Sequence, residues 1–236
     1  MATALQINQV SYYRDGARVL SDVSLRSGAR RLGVVGRNGS GKSSLARLLT
    51  GLAKPDRGDI RLFGANVAED RAAALRHVGM IFQNPDQQII FPTVVEELSF
   101  GLKNIGLSDG ESNQRVNEIL TRFGWQGWDD KPVYTLSHGQ KHLLCLMAVL
   151  LMEPQLIVFD EPYAGLDIPT ARHMNQLIRD LPQHLVVVSH RPEDLEEFDE
   201  LLWLENGRMQ DHGPVKVIMP KYLAAMSDNE AMDSRC

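Results

Sequence analysis

Cysteine is nearly absent from this sequence, and so is any long apolar run. The two thiols, Cys145 and Cys236, stand far apart, one inside an apolar helical stretch and one at the C-terminal residue. That spacing makes neither a metal pattern nor a disulfide framework. The longest apolar run, Leu143 to Met152, is about half of what a bilayer span requires. The start, Met1-Ala2-Thr3-Ala4-Leu5-Gln6, lacks a basic patch followed by an apolar segment, so a secretory signal is not expected and the chain is placed in the cytoplasm. A basic excess is missing too: a net charge of -5 argues against nucleic acid as the main ligand. There is no internal repeat and no low-complexity segment. What remains, 43% hydrophobic and 23% charged residues over 236 positions, is the composition of a folded chain long enough to bury a core.

The most informative stretch is Gly36-Arg37-Asn38-Gly39-Ser40-Gly41-Lys42-Ser43. It has the Gly-x4-Gly-Lys-Ser spacing of a phosphate-binding loop, with an apolar run, Leu32 to Val35, before it and a helical pattern after it. A triphosphate is densely negative, so such a loop must bring several backbone N–H groups close to it. Glycines permit that approach, and the start of the following helix adds unpaired N–H groups and the positive end of its dipole. Lys42 is expected to reach the β- and γ-phosphates, and the Ser43 hydroxyl to ligate Mg²⁺.

Read in order, residues 5 to 10 and 18 to 25 alternate loosely and flank Arg14-Asp15-Gly16, which predicts an antiparallel hairpin. Tyr12 and Tyr13, just before the turn, are core aromatics or a stacking surface for a purine. Leu45, Leu48, Leu49 and Leu52 mark one helical face that Gly51 and Pro55 close. Asp59 to Phe63 and Val78 to Phe82 read as strands, the second ending on Gln83. From Asn84 the pattern turns helical: Thr93 can cap a helix through Glu96 and Glu97, and Val116, Ile119, Leu120 and Phe123 repeat at helical spacing before Gly124. This predicts an α/β fold with an inserted helical subdomain over about residues 84–150.

Leu136-Ser137-His138-Gly139-Gln140 then precedes a helix, Lys141 to Met152, that is apolar almost all round. Leu156 to Phe159 is a β run ending in Asp160-Glu161. Carboxylates at the carboxyl end of a parallel strand face the ligand crevice, so Asp160 can hold Mg²⁺ and Glu161 can orient or deprotonate a water. Met174, Leu177, Ile178 and Leu181 mark another amphipathic helix, and Val186 to Ser189 a strand ending on His190, poised for a phosphate or a water. Leu201 to Met209 reads as a hairpin around Asn206-Gly207, and the polar segment from Ser227 to Cys236 as a fraying tail.

Together these residues resemble the nucleotide-binding subunit of ATP-binding cassette transporters, from about Leu5 to Met226. The phosphate loop alone indicates only a P-loop ATPase; Leu136 to Gln140, some twenty residues before Asp160-Glu161, is what is specific to this family. The resemblance implies a single ATPase domain over residues 1–226, with a P-loop α/β core, an antiparallel β subdomain and the helical subdomain. It implies ATP and Mg²⁺ as cofactors and a role for each motif. Tyr13 is the adenine-stacking aromatic, Gly36 to Ser43 the Walker A loop, with Ser44 in place of the commoner threonine. Gln83 is the Q-loop glutamine that senses Mg²⁺ and water, Asp160 the Walker B aspartate, Glu161 the catalytic glutamate, Ala164 to Asp167 the D-loop and His190 the switch histidine. Ser137 and Gly139 are expected to act on the γ-phosphate held by a second ATPase subunit, so that ATP joins a head-to-tail homodimer or a pair with a paralogous ATPase. His138 stands where the family usually has glycine. Histidine tolerates left-handed backbone angles, and when protonated it would add a charged donor near the γ-phosphate.

Gln83 to Gln88, with Pro92-Thr93-Val94 and Glu96-Glu97 behind it, is similar to the Q-loop of energy-coupling-factor importers of vitamins and transition metals. That implies a transmembrane coupling protein and a substrate-binding membrane protein as partners, and a peripheral place on the cytoplasmic face of the inner membrane. Asp86, Glu96 and Glu97 are then candidates to receive basic residues of the coupling protein. The wording Leu136 to Lys141 is similar to the ATPases of biotin importers, with cobalt or nickel as the alternative cargo. Rival readings are a soluble cassette ATPase without a transport role and a small-molecule P-loop kinase. The first usually carries a long coiled coil or tandem cassettes, and the second has no use for Leu136 to Gln140 or His190.

Overall fold

Asp15 and Gly16 both take left-handed angles (φ 52° and 79°), the geometry of a tight two-residue hairpin turn. They join β1 (Leu5–Arg14) to β2 (Ala17–Ser27), as the sequence predicts. A computed structural model of the chain describes residues 3–69 and 77–233, and these divide into two compact units, one on each side of the boundaries near residues 75 and 184. Cys236 lies outside the described residues.

In the first unit the hairpin is extended by β4 (Arg57–Leu62), antiparallel to β1, and by the short β5 (Ala65–Asn66), giving the order β2-β1-β4-β5. A second sheet is built on β3 (Arg31–Val35), which runs parallel to β8 (His184–Val188) on one side and to β9 (Glu200–Glu205) on the other. The Asn206-Gly207 turn, again left-handed at both residues, brings β10 (Arg208–Pro214) back against β9. Helix α1 (Lys42–Leu49) buries Leu45, Leu48 and Leu49. Leu52 does not belong to that face: the helix stops at Thr50 and the left-handed Gly51 (φ 68°), and Leu52 is exposed. Likewise β4 ends at Leu62, because Phe63 and Gly64 both turn left-handed. The last helix, α6 (Val215–Asp233), extends past Ser227, where the expected tail begins.

In the second unit β6 (Val78–Ile81) pairs in parallel with the fully buried β7 (Leu156–Asp160). The helices here are α2 (Val94–Asn104), α3 (Asp109–Arg122), α4 (His138–Leu151) and α5 (Ile168–Asp180). Three of them begin with a capping box, in which a hydroxyl accepts from the backbone three residues on and the side chain there accepts in return: Thr93 with Glu96, Ser108 with Glu111, and Ser137 with Gln140. Each box ties off N–H groups that the first helical turn leaves unpaired, which fixes where the helix starts. No helix among the described residues is long and apolar enough to cross a membrane.

Candidate functional site

The first unit carries the phosphate-loop group. Strand β3 ends at Val35, and Gly36 follows at φ 149°, packed so closely on β9 that a Cβ there would lie 2.0 Å from the Leu204 carbonyl oxygen and 2.7 Å from Ser40 Oγ. Only glycine fits. Gly36→Ala is therefore expected to destabilise the fold by on the order of 1–3 kcal/mol and to weaken ATP binding, as read by thermal melts and nucleotide titration. Past the exposed Arg37, Asn38 and Gly39, the chain returns through the buried Ser40, whose Oγ has no hydrogen-bond partner among the described residues. Gly41 (φ 99°) then opens α1 without any side-chain cap, so the helix presents its N-terminal end toward the loop. Lys42 is buried, and its ammonium donates to the carbonyls of Gly36 (2.7 Å) and Arg37 (2.8 Å). Ser43 is exposed and Ser44 half-buried at the start of the helix.

Strands β3 and β8 are parallel neighbours, so the loop and His190 leave the same edge of this sheet. His190 is exposed, and beside it the Ser189 hydroxyl donates to Asp194 (3.1 Å) and accepts from the Arg191 backbone (3.0 Å). Burial raises the Asp194 carboxyl above its ordinary value, against the pull of the Arg191 guanidinium. Tyr13 is exposed, with its backbone N–H held by the Asp56 carboxylate at 2.7 Å. Tyr12 is half-buried. Sequence reasoning missed Tyr222 on α6, a buried phenol that faces the backbone of Gly36 and the side chains of Arg37 and Glu205; burial raises its pKa. Its signal, one aromatic in a C-terminal helix, was too weak to find.

The second unit carries Gln83, Asp160 and Glu161, the residues expected to serve hydrolysis, and the Leu136 to Gln140 phrase. β6 and β7 are parallel neighbours, so the exposed Gln83 and the Asp160-Glu161 pair also share one strand edge. Asp160 is buried as the last residue of β7. Glu161 is half-buried and takes φ 53°, a left-handed backbone unusual for a residue with a long side chain. Its carbonyl accepts from Ala164 (3.1 Å), starting the turn that ends at Asp167, the cap of α5. The hydrogen bonds with Thr170 hold the Asp167 carboxyl below its usual range.

Ser137 and Gln140 first of all make a helix start: the Ser137 hydroxyl accepts from the Gln140 backbone (3.3 Å), and the Gln140 side chain accepts from the Ser137 N–H (2.9 Å). Gly139 is buried, and a Cβ there would meet Thr170 Cγ2 at 2.6 Å. His138 is exposed as the first residue of α4. It is not among the residues with positive φ, so the left-handed tolerance of histidine is not what admits it here.

The three acidic residues named as candidates to receive a coupling protein also have partners within the chain. Asp86 is paired with Lys141 (2.6 Å), Glu96 belongs to the Thr93 capping box, and the buried Glu97 accepts from the backbones of Ile90 and Phe91, each at 2.9 Å. All three have structural work inside the second unit. Cys145 is buried, and burial raises its thiol pKa, so it behaves as a small apolar residue.

Each donor expected for the metal, the Ser43 hydroxyl in the first unit and the Asp160 carboxylate and Gln83 amide oxygen in the second, is a hard oxygen of the kind Mg²⁺ takes. The uncapped start of α1 and the unpartnered Ser40 hydroxyl suit an anionic phosphate chain. Among the described residues no cluster of three or more His, Cys, Asp or Glu offers a metal site of another kind.

Comparison with known proteins agrees with this chemistry. The family model described as ABC transporter matches residues 20–164. Over 223 residues the chain is 49% identical to the biotin transport ATP-binding protein BioM of Rhodobacter capsulatus, covering 94% of this chain and 95% of that protein. The BioM protein of Rhizobium etli is 36% identical over 208 residues, 88% of this chain and 92% of the relative. Among solved structures, CbiO1 from Clostridium perfringens, part of the ABC transporter complex CbiONQ, superposes with a TM-score of 0.82 at 27% identity, covering 97% of this chain and 95% of that one.

Proposed function

Since the chain belongs to the ABC transporter family and is an ATPase of that type, we propose that it powers an energy-coupling-factor importer of a vitamin, with biotin as the cargo. The observation that carries this reading is the 49% identity to a biotin transport ATP-binding protein along nearly the full length of both chains. Transport of cobalt or nickel is the second reading, and it rests on the resemblance of Gln83 to Gln88 to the Q-loop of importers that also take up transition metals.

In the proposed cycle Tyr13 stacks on the adenine. The backbone of Gly36 to Ser43 and the N-terminus of α1 hold the phosphates, Asn38, Gly39, Ser40 and Gly41 among them, while Lys42 exchanges its carbonyl partners for the β- and γ-phosphate oxygens. Ser43, Asp160 and Gln83 would hold Mg²⁺, whose charge offsets that of the phosphates. Glu161 takes a proton from the attacking water, and His190 steadies the γ-phosphate. Ser137, His138, Gly139 and Gln140 meet the nucleotide held by a second copy, so ATP closes a head-to-tail homodimer and hydrolysis opens it. The partners are a transmembrane coupling protein and a substrate-binding membrane protein, which hold the ATPase at the cytoplasmic face of the inner membrane.

The test is affinity purification of the chain from detergent-solubilised membranes of its host, with the co-purifying proteins identified and their bound solute analysed. Recovery of two small membrane proteins carrying biotin is the expected result. Bound cobalt or nickel would move the cargo to a transition metal, and recovery of no membrane protein would leave a soluble ATPase without a transport role.

A further inference from the structure

Helix α4 carries a second histidine that no motif absorbs. His142 lies four residues after His138, on the same helical face, and is buried to 1% exposure with neither ring nitrogen hydrogen-bonded among the described residues. A buried polar group without a partner is costly and calls for a reason. The reason lies above it: the two imidazoles meet edge to face, centroids 4.8 Å apart and planes at 85°. The far side of the pair is equally constrained. Gly165, in the turn after Glu161, takes φ 72°, and a Cβ built there would come within 3.3 Å of His138 Nε2 and 3.5 Å of its Cδ2. So the exposed His138 ring is held between a buried ring and the bare backbone of a glycine. Burial and the neighbouring imidazole push His142 down to about 4, which keeps it neutral at ordinary pH and avoids two like charges in contact.

We propose that His142 is a positioning residue: its ring fixes the His138 ring over Gly165, so that the start of α4 and the turn Ala164 to Asp167 are presented as one rigid surface. The geometry explains how the helix start stays ordered with histidine in place of the usual glycine, since the added side chain is used as a wedge between two segments. Gly139, packed on Thr170, closes the same junction one residue further on. The inference rests on the reading that Ser137 to Gln140 meet a nucleotide held by a second copy. Ordering that surface before the encounter removes an entropy cost from dimer closure and leaves ATP capture by each copy unchanged.

The experiment is a double-mutant cycle on the full-length chain, reading kcat and KM for ATP. His142→Leu keeps the bulk and loses the ring; kcat is expected to fall between about twofold and tenfold, the equivalent of one aromatic edge contact, with KM for ATP changed less than about twofold. His142→Phe restores a ring and is expected to recover most of the lost rate. In a His138→Gly background, His142→Leu is expected to cost no further rate, because the ring it positions is gone. An equal loss in both backgrounds, or failure of His142→Phe to recover, would overturn the proposal and leave His142 as plain core packing. The trans reading is tested separately: a Glu161→Gln chain that stays monomeric with ATP on gel filtration would remove it, whatever the kcat cycle shows.

Discussion

Replacing Glu161 by glutamine is expected to lower ATP turnover by on the order of 10²- to 10⁴-fold, the usual contribution of a general base. The substitution preserves size and shape and removes the negative charge and with it the ability to accept a proton. ATP affinity should stay within a few-fold of wild type, because none of the phosphate-loop residues changes. With hydrolysis blocked, the ATP-bound dimer should accumulate and be visible as a doubled mass on gel filtration in ATP, and not in ADP. Turnover near wild type would remove Glu161 from the role of base. The neighbouring Asp160 predicts a different failure: if Asp160 holds Mg²⁺ as proposed, Asp160→Asn should alter the Mg²⁺ dependence itself.

Lys42→Ala is the second large effect. The ammonium is buried and held by two loop carbonyls at 2.7 and 2.8 Å, so it is already placed where a phosphate oxygen could take over those contacts. Hydrogen bonds to a charged group contribute about 1.5–3 kcal/mol each, so loss of one such contact alone weakens ATP binding by roughly 10- to 150-fold. A fluorescent ATP analogue titrated against both chains measures this directly, and a Kd within threefold of wild type would rule the role out. Removing the amine also leaves the Gly36 and Arg37 carbonyls without that donor, so the apo chain should melt earlier as well. Turnover at saturating ATP separates the two losses: a stability defect alone would leave kcat intact below the melting range.

Much of this could be read in the sequence where the chemistry is local. The Asp15-Gly16 and Asn206-Gly207 turns demand left-handed angles that these residue types supply, and the structure has them. The Thr93 cap is written in its hydroxyl and in Glu96 three residues later. The same spacing was present at Ser108 and at Ser137, and the second was passed over because a motif known for nucleotide contact masked its ordinary work as a helix cap. Leu52 kept to helical spacing past a glycine that had already ended the helix. The partners of Asp86 and Glu97 were not legible for another reason. A carboxylate's partner is a tertiary fact, here Lys141 from 55 residues away and two backbone N–H groups before α2, and no local pattern announces it. His142 was hidden for the same reason: within a run of leucines, a histidine reads as core until its neighbour four residues back is seen to lean on it.

The left-handed backbone of Glu161 also sets a limit on how this enzyme can be improved. Holding a non-glycine residue there costs on the order of 1–3 kcal/mol, more than the roughly 0.5–1 kcal/mol of chain entropy that a glycine would forfeit on folding. A laboratory selection for heat resistance alone would therefore favour glycine at position 161 and return a sturdier chain without the carboxylate proposed as its base.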